Sequence, residues 1–104
     1  MILLYYFSDK APSILKKLVD IESFQGDSAY FECIVHGSPM PAVSWYCDGI
    51  PINEAVFKAI TLEDGTCQLI IQEVFPEDEG EYECIAINKY GSTNTSCVLY
   101  VSGM

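Results

Sequence analysis

Five cysteines are the residues of this chain whose chemistry first needs an explanation. They are Cys33, Cys47, Cys67, Cys84 and Cys97. None forms a CxxC pair, and His36 is the only histidine, so we expect no metal site of the zinc-finger type. Because their number is odd, at least one thiol has no partner within the chain.

A run of acidic residues is the second group that could carry chemistry. Glu77, Asp78 and Glu79 are consecutive, and Glu81 and Glu83 follow. Alternation along a strand would place the last two on a solvent-facing side, and the ligand spacing of an EF-hand calcium loop is missing. This segment therefore indicates a solvated corner.

No arrangement typical of a catalytic centre is present in the sequence. His36 has no accompanying nucleophile motif such as GxSxG. Nothing indicates a carboxylate pair with raised pKa values, and the phosphate-binding motif GxxxxGK does not occur. We expect no catalytic residue, no cofactor and no enzymatic activity.

Charge and composition restrict the partners. The 104 residues include 15 acids and 5 Lys or Arg, which gives a net charge of −10. Phosphate backbones and anionic lipid would repel such a chain, so we expect neither nucleic acid nor a membrane as partner. Apolar residues make up 50% of the sequence, which favours one folded domain over disorder.

Short alternating segments separated by turn residues predict an all-β fold. The clearest strand alternates Ala29, Phe31, Cys33 and Val35 with intervening outward positions. Turns are predicted at Asp48-Gly49, at 63–65 and at 88–91. Counting one or two early strands between 14 and 24 gives seven to nine strands, which indicates an antiparallel sandwich or barrel.

Three features select one kind of sandwich. Cys33 and Cys84 both lie on inward faces. Trp45 follows Cys33 in the sequence, and Tyr82 lies between Asp78 and Cys84. Together with the segments GSPMPAVSWYCDG, LII and DEGEYECIAINKYG, they resemble the I-set of the immunoglobulin superfamily. The resemblance is greatest to domains of titin and related giant muscle filament proteins.

This resemblance implies a two-sheet Greek-key sandwich over residues 12–102, with a flanking segment at 1–11 and a tail at 103–104. It also implies that Cys33 and Cys84 meet in the core beside Trp45, and that the Tyr82 hydroxyl bonds to the corner near Asp78. The expected function is that of a non-enzymatic module in a cytoplasmic filament protein. The module would be a force-bearing spacer and docking scaffold, joined to neighbouring immunoglobulin or fibronectin-type modules and to muscle or cytoskeletal proteins.

Two interpretations of the additional cysteines remain open. By resemblance, Cys47, Cys67 and Cys84 could form a redox group in which a thiolate attacks a neighbouring disulfide. Alternatively, all the cysteines stay reduced and pack as small apolar side chains.

The outward face of one sheet could bind a partner. Its apolar side chains are Tyr46, Ile85, Ile87, Val98 and Tyr100. The apolar segment 1–7, a poor signal peptide, could instead cover this face or be foreign to the native protein. Scattered exposed apolar residues are also common without any partner.

Two other functions fit the same fold. An extracellular adhesion or receptor domain would use the glycosylation sequon at Asn94. A regulatory domain beside a muscle protein kinase would position or occlude the catalytic domain.

Overall fold

The structure, a computed structural model, describes residues 9–103. It contains nine strands and one short 3₁₀ helix, Pro76–Asp78. The strands are β1 (Lys10–Lys16), β2 (Ile21–Phe24), β3 (Ala29–Ser38), β4 (Ala42–Cys47), β5 (Ile50–Pro51), β6 (Lys58–Thr61), β7 (Thr66–Ile71), β8 (Gly80–Asn88) and β9 (Gly91–Ser102). The all-β prediction is confirmed, and the number of described strands agrees with the expected seven to nine.

The strands form two sheets. One has the order β1-β3-β7-β6 and the other the order β2-β9-β8-β4-β5. All neighbours are antiparallel except β2 and β9, which are parallel. The chain crosses between the sheets after β1, so that its first two strands lie in different sheets.

The core lies between the sheets because alternate residues of each strand point inward. In β3 and β7, buried positions alternate regularly with half-buried or exposed ones. Phe31 and Tyr82 stack with ring centroids 4.7 Å apart, and Phe57 meets Tyr82 edge-on at 6.4 Å. Aromatic pairs in these geometries add to the stability gained from burial alone.

Several segments differ in extent from the sequence-based expectation. The weak segment at 55–62 forms a strand only over Lys58–Thr61, because 54–57 turn before it. The first strand begins at Lys10, inside the expected flanking segment.

The hypothesis that residues 1–7 cover a sheet face concerns residues outside the part of the chain that the structure describes. Residues 9–103 include no helix with the length and apolar character needed to cross a bilayer.

Candidate functional site

Three buried thiols meet in the centre of the sandwich. Cys33 on β3 lies directly opposite Cys67 on β7, and Cys84 approaches from β8 in the other sheet. The three Sγ atoms lie within 4.8 Å of one another, and all three residues have 0% exposure. The cross-sheet approach of Cys33 and Cys84 is the arrangement that the resemblance implied.

Hydrogen bonding among the three sulfurs separates their acidities. The bond with Cys67 is the main cause that raises the pKa of Cys33, to about 12. The pKa of Cys84 is also raised, first by its hydrogen bonds with Cys33 and Cys67 and then by burial. The same bonds lower the pKa of Cys67, against the opposing effect of burial.

Cys47 lies apart from this group, although the redox hypothesis included it with Cys67 and Cys84. It is half-buried at the end of β4, opposite Tyr82. Burial raises its pKa and also raises that of Cys97, to about 11. All five cysteines, each within the described residues, are unbridged. The sequence-based grouping missed Cys33 as the neighbour of Cys67; the inward period of β3 and β7 places both residues in the core but does not pair them.

Trp45 lies beside the three central cysteines, and a hydrogen-bonded corner precedes β8. Trp45 is buried, pairs with Cys84 in register on β4, and its Nε1 has no partner among residues 9–103. The Tyr82 hydroxyl donates to the carbonyl of Asp78 at 2.6 Å. The Asp78 carboxylate accepts the backbone N–H of Phe75 at 2.8 Å, which holds the short helix closed.

The residues of the acidic run are at the surface, and two of them accept hydrogen bonds from β9. Glu81 and Glu83 lie on the outward side of β8, exposed and half-buried respectively, and Glu83 accepts the side-chain amide of Asn94. Glu79 accepts the backbone N–H of Val101 at 2.8 Å. His36 is exposed near the end of β3.

All five residues of the expected partner face point away from the core. Ile87 and Tyr100 are exposed at 51% and 48%, and Tyr46, Ile85 and Val98 are half-buried. Glu83 lies between Tyr46 and Ser96 across neighbouring strands, so the apolar residues are interrupted by a carboxylate. The surface is therefore mixed in character rather than continuously apolar. We call these five residues the outer face.

The segment that leads into β2 is fastened along β9. Four residue pairs, from Ile21↔Leu99 to Phe24↔Ser102, form the parallel ladder. Before the ladder, Leu18 N–H donates to the buried Thr95 hydroxyl at 3.1 Å, and Val98 N–H donates to the Asp20 carboxylate at 2.8 Å. After it, Gln25 N–H donates to the Ser102 carbonyl at 2.8 Å. We call this set of bonds the terminal clamp.

Two facing sheets with cysteines of β3 and β8 meeting beside Trp45 define an immunoglobulin-like sandwich. The chain belongs to the immunoglobulin I-set family, whose domain profile matches residues 12–101. It is 40% identical over 93 residues to the titin homolog of Caenorhabditis elegans and 37% identical over 94 residues to palladin of Mus musculus, in each case across 89% of this chain. The titin domains Z1Z2, solved in complex with telethonin, match with a TM-score of 0.88 and 28% identity over 93% of this chain and 50% of that one.

The chain spans only a small part of these relatives. It covers 7% of palladin, and its share of the titin homolog rounds to 0%. A similar match extends to vascular endothelial growth factor receptor 1 of Gallus gallus, 36% identical over 96 residues, which are 92% of this chain and 7% of that protein. The chain is thus an immunoglobulin module of the kind found in muscle cytoskeletal proteins, and this kind of module also occurs in a receptor.

Proposed function

We propose that this module, spanning residues 12–102, is a non-enzymatic spacer that carries force within a giant intracellular muscle filament protein. The observation that supports this proposal most directly is the terminal clamp, in which β2, the second strand of the chain, runs parallel to β9, the last one. The similarity to the titin homolog and to palladin gives the proposed setting.

The parallel direction decides how a load would act. Tension applied at both ends pulls β2 toward its own start and β9 toward its own end. Because the two strands are parallel, these pulls oppose each other along the strand axis, and the bonds that join β2 to β9 are sheared together. Unfolding under force is governed by the unfolding rate, and a barrier that requires several bonds to break at once makes that rate small.

Single-molecule stretching of the domain between marker domains tests this function. Gln25→Pro removes the N–H that donates to Ser102, whereas the N–H of Glu22, three positions earlier, points away from β9 on the edge of the sheet. We expect Gln25→Pro to lower the unfolding force and Glu22→Pro to leave it nearly unchanged, with both variants shown to be folded by circular dichroism. Equal unfolding forces for wild type and Gln25→Pro would contradict a load-bearing clamp.

The outer face supports a docking role for the same module. Exposed Ile87 and Tyr100 lie on the sheet that carries β8 and β9, and in the similar titin structure the Z1Z2 domains are in complex with telethonin. The proposed partner is a muscle or cytoskeletal protein. Replacing Ile85 and Tyr100 by Thr and Ser should reduce capture of such proteins from muscle extract. Tyr30→Ser, an exposed change on the other sheet, is the control; unchanged capture by the double variant would exclude this face.

The central thiols support a redox adjustment of mechanical behaviour. Cys33 and Cys84 come from different sheets and their sulfurs are within 4.8 Å, so an oxidant could join them with little movement of the chain. A thiolate at Cys67 could then attack that bridge and exchange partners. Mass mapping of the folded domain without reduction, before and after mild oxidation, should find bridges among these three residues. Five free thiols after oxidation would remove this part of the proposal.

An extracellular receptor domain is the second candidate, favoured by the match to the growth factor receptor. Asn94, the acceptor of the sequon, is exposed on β9, and a glycan there would have to displace the bond from its side-chain amide to Glu83. An antibody against this domain should stain sarcomeres under the main proposal. Staining of the cell surface, with a mass decrease on treatment with a glycosidase, would instead establish the second candidate.

A further inference from the structure

The three central sulfurs have the spacing of a metal-binding set. Thiolate ligands lie about 2.3 Å from an ion such as zinc, so three sulfurs around one ion are about 4 Å apart. The Sγ atoms of Cys33, Cys67 and Cys84 lie within 4.8 Å of one another, so each needs to move by less than about 1 Å. Rotation about χ1 can supply a shift of this size. We propose that these three residues bind one copper(I) ion in the reduced protein.

The surroundings favour copper(I) over other ions. The residues buried around the sulfurs are apolar, and the only buried polar residues, within 9–103, are Ser23 and Thr95. Calcium and magnesium require several oxygen ligands, and structural zinc requires four ligands. Soft thiolates select copper(I), which is satisfied by two or three sulfurs without water.

Charge decides the form of the complex. No Lys or Arg is buried within the described part of the chain, so a strongly negative complex in the core would be costly. Two thiols lose their protons to solvent, two Cu–S bonds form, and the third sulfur coordinates as a neutral thiol. The complex then carries one negative charge. Copper enters and stays as copper(I), so no electron is transferred.

Binding of the ion and formation of a disulfide exclude each other at this site. A bridge between Cys33 and Cys84 would consume two of the three ligands. The oxidised domain should therefore bind no copper, and copper should protect these thiols from mild oxidation. This inference does not depend on whether the module carries force.

Anaerobic competition with the copper(I) chelator bicinchoninate tests the proposal on the reduced domain. We expect the domain to remove one equivalent of copper(I) and to melt at a higher temperature, because an ion that binds only the folded state stabilises it. Cys67→Ser should weaken binding at least tenfold. Cys47→Ser and Cys97→Ser, which leave the three ligands in place, should bind as the wild type does.

Several results would overturn the proposal. These are failure to compete with the chelator, equal binding by wild type and Cys67→Ser, or loss of binding in Cys47→Ser alone. One equivalent of zinc that displaces copper(I) would overturn the choice of ion. Should Cys67→Ser not fold, the wild type oxidised to a Cys33–Cys84 bridge replaces it, and copper binding by that form equal to the reduced form would refute the site.

Discussion

The hydroxyl of Tyr82 donates to the backbone carbonyl of Asp78 at 2.6 Å, which ties the start of β8 to the corner before it. The ring of Tyr82 is buried against Phe31, so the same side chain fills the core and closes the corner. Burial raises the pKa of this phenol, which therefore remains a donor throughout the working pH range. Packing and hydrogen bonding at this residue can be separated by removing one oxygen atom.

Tyr82→Phe should destabilise the domain by about 1 kcal/mol, since it removes one hydrogen bond and keeps the stacked ring. Denaturant unfolding should show a lower midpoint with an unchanged slope. Tyr100→Phe, whose side chain is exposed, serves as the matched control and should change the midpoint little. A stability equal to wild type for Tyr82→Phe would show that the corner does not need this bond.

Gly65→Ala should destabilise far more than Gly26→Ala. The two glycines have nearly equal φ angles, +95° and +93°. A Cβ at Gly65 would lie 2.1 Å from the Val35 carbonyl oxygen, whereas nothing lies within 4 Å of one at Gly26. The backbone cost of about 1–2 kcal/mol is common to both, and the clash adds about 1–3 kcal/mol at Gly65. Comparable unfolding free energies for the two variants would mean that the turn at Gly65 shifts freely.

Acid should weaken the domain in a defined pH window through Glu32. The Glu32 carboxylate accepts from Lys16 at 2.8 Å, from Gln68 at 3.1 Å and from Tyr30 at 2.9 Å. These bonds, that of Lys16 first, lower its pKa from 4.5 to about 2. Because the folded-state pKa is the lower one, the contribution is present above pH 4.5 and is lost as the pH falls toward 2.

Unfolding of wild type and Glu32→Gln across this pH range measures the effect. The stability difference between them should be constant above pH 5 and shrink as the pH falls to 2. Glu63→Gln, an exposed acid on a turn outside this network, is the control. A difference that stays constant down to pH 2 would contradict the low pKa.

Alkylation of the native domain should modify Cys47 first. Cys47 is half-buried, whereas the other four cysteines are at most 5% exposed. Those four require opening of the sandwich, so their labelling should follow the unfolding equilibrium. Pulsed alkylation with mass spectrometry gives the order. Labelling of Cys33 or Cys84 as fast as Cys47 would show that the core opens locally.

The sequence predicts the sandwich well because its signals are local. Inward alternation in β3, the turn at Asp48-Gly49 and the motif around Tyr82 each follow from neighbouring residue types. The cluster of three central cysteines could not be predicted in this way. Period-two alternation places Cys33 and Cys67 inward, but their pairing depends on the register between β3 and β7, which are far apart in the chain. Identifying Cys33, rather than Cys47, as the neighbour of Cys67 requires that register, and no local pattern provides it.

Local sequence patterns also do not predict the terminal clamp. Asp20 and Thr95 are ordinary polar residues in the sequence, and their roles arise only where residues 17–20 cross to β9. For the outer face, the sequence pattern is correct but incomplete. It places the apolar residues outward, but it does not reveal that Glu83 lies among them across neighbouring strands.

In the proposed force-bearing role, a bond between Cys33 and Cys84 would limit how far the molecule could lengthen after it yields. About fifty residues lie between these positions, which is roughly 170 Å of extended chain at about 3.4 Å per residue. A disulfide between Cys33 and Cys84 would prevent that length of chain from extending in a stretched filament, whereas reduced thiols would allow it to extend. One covalent bond in the core would thus switch the module between a short and a long extension at the same cellular tension.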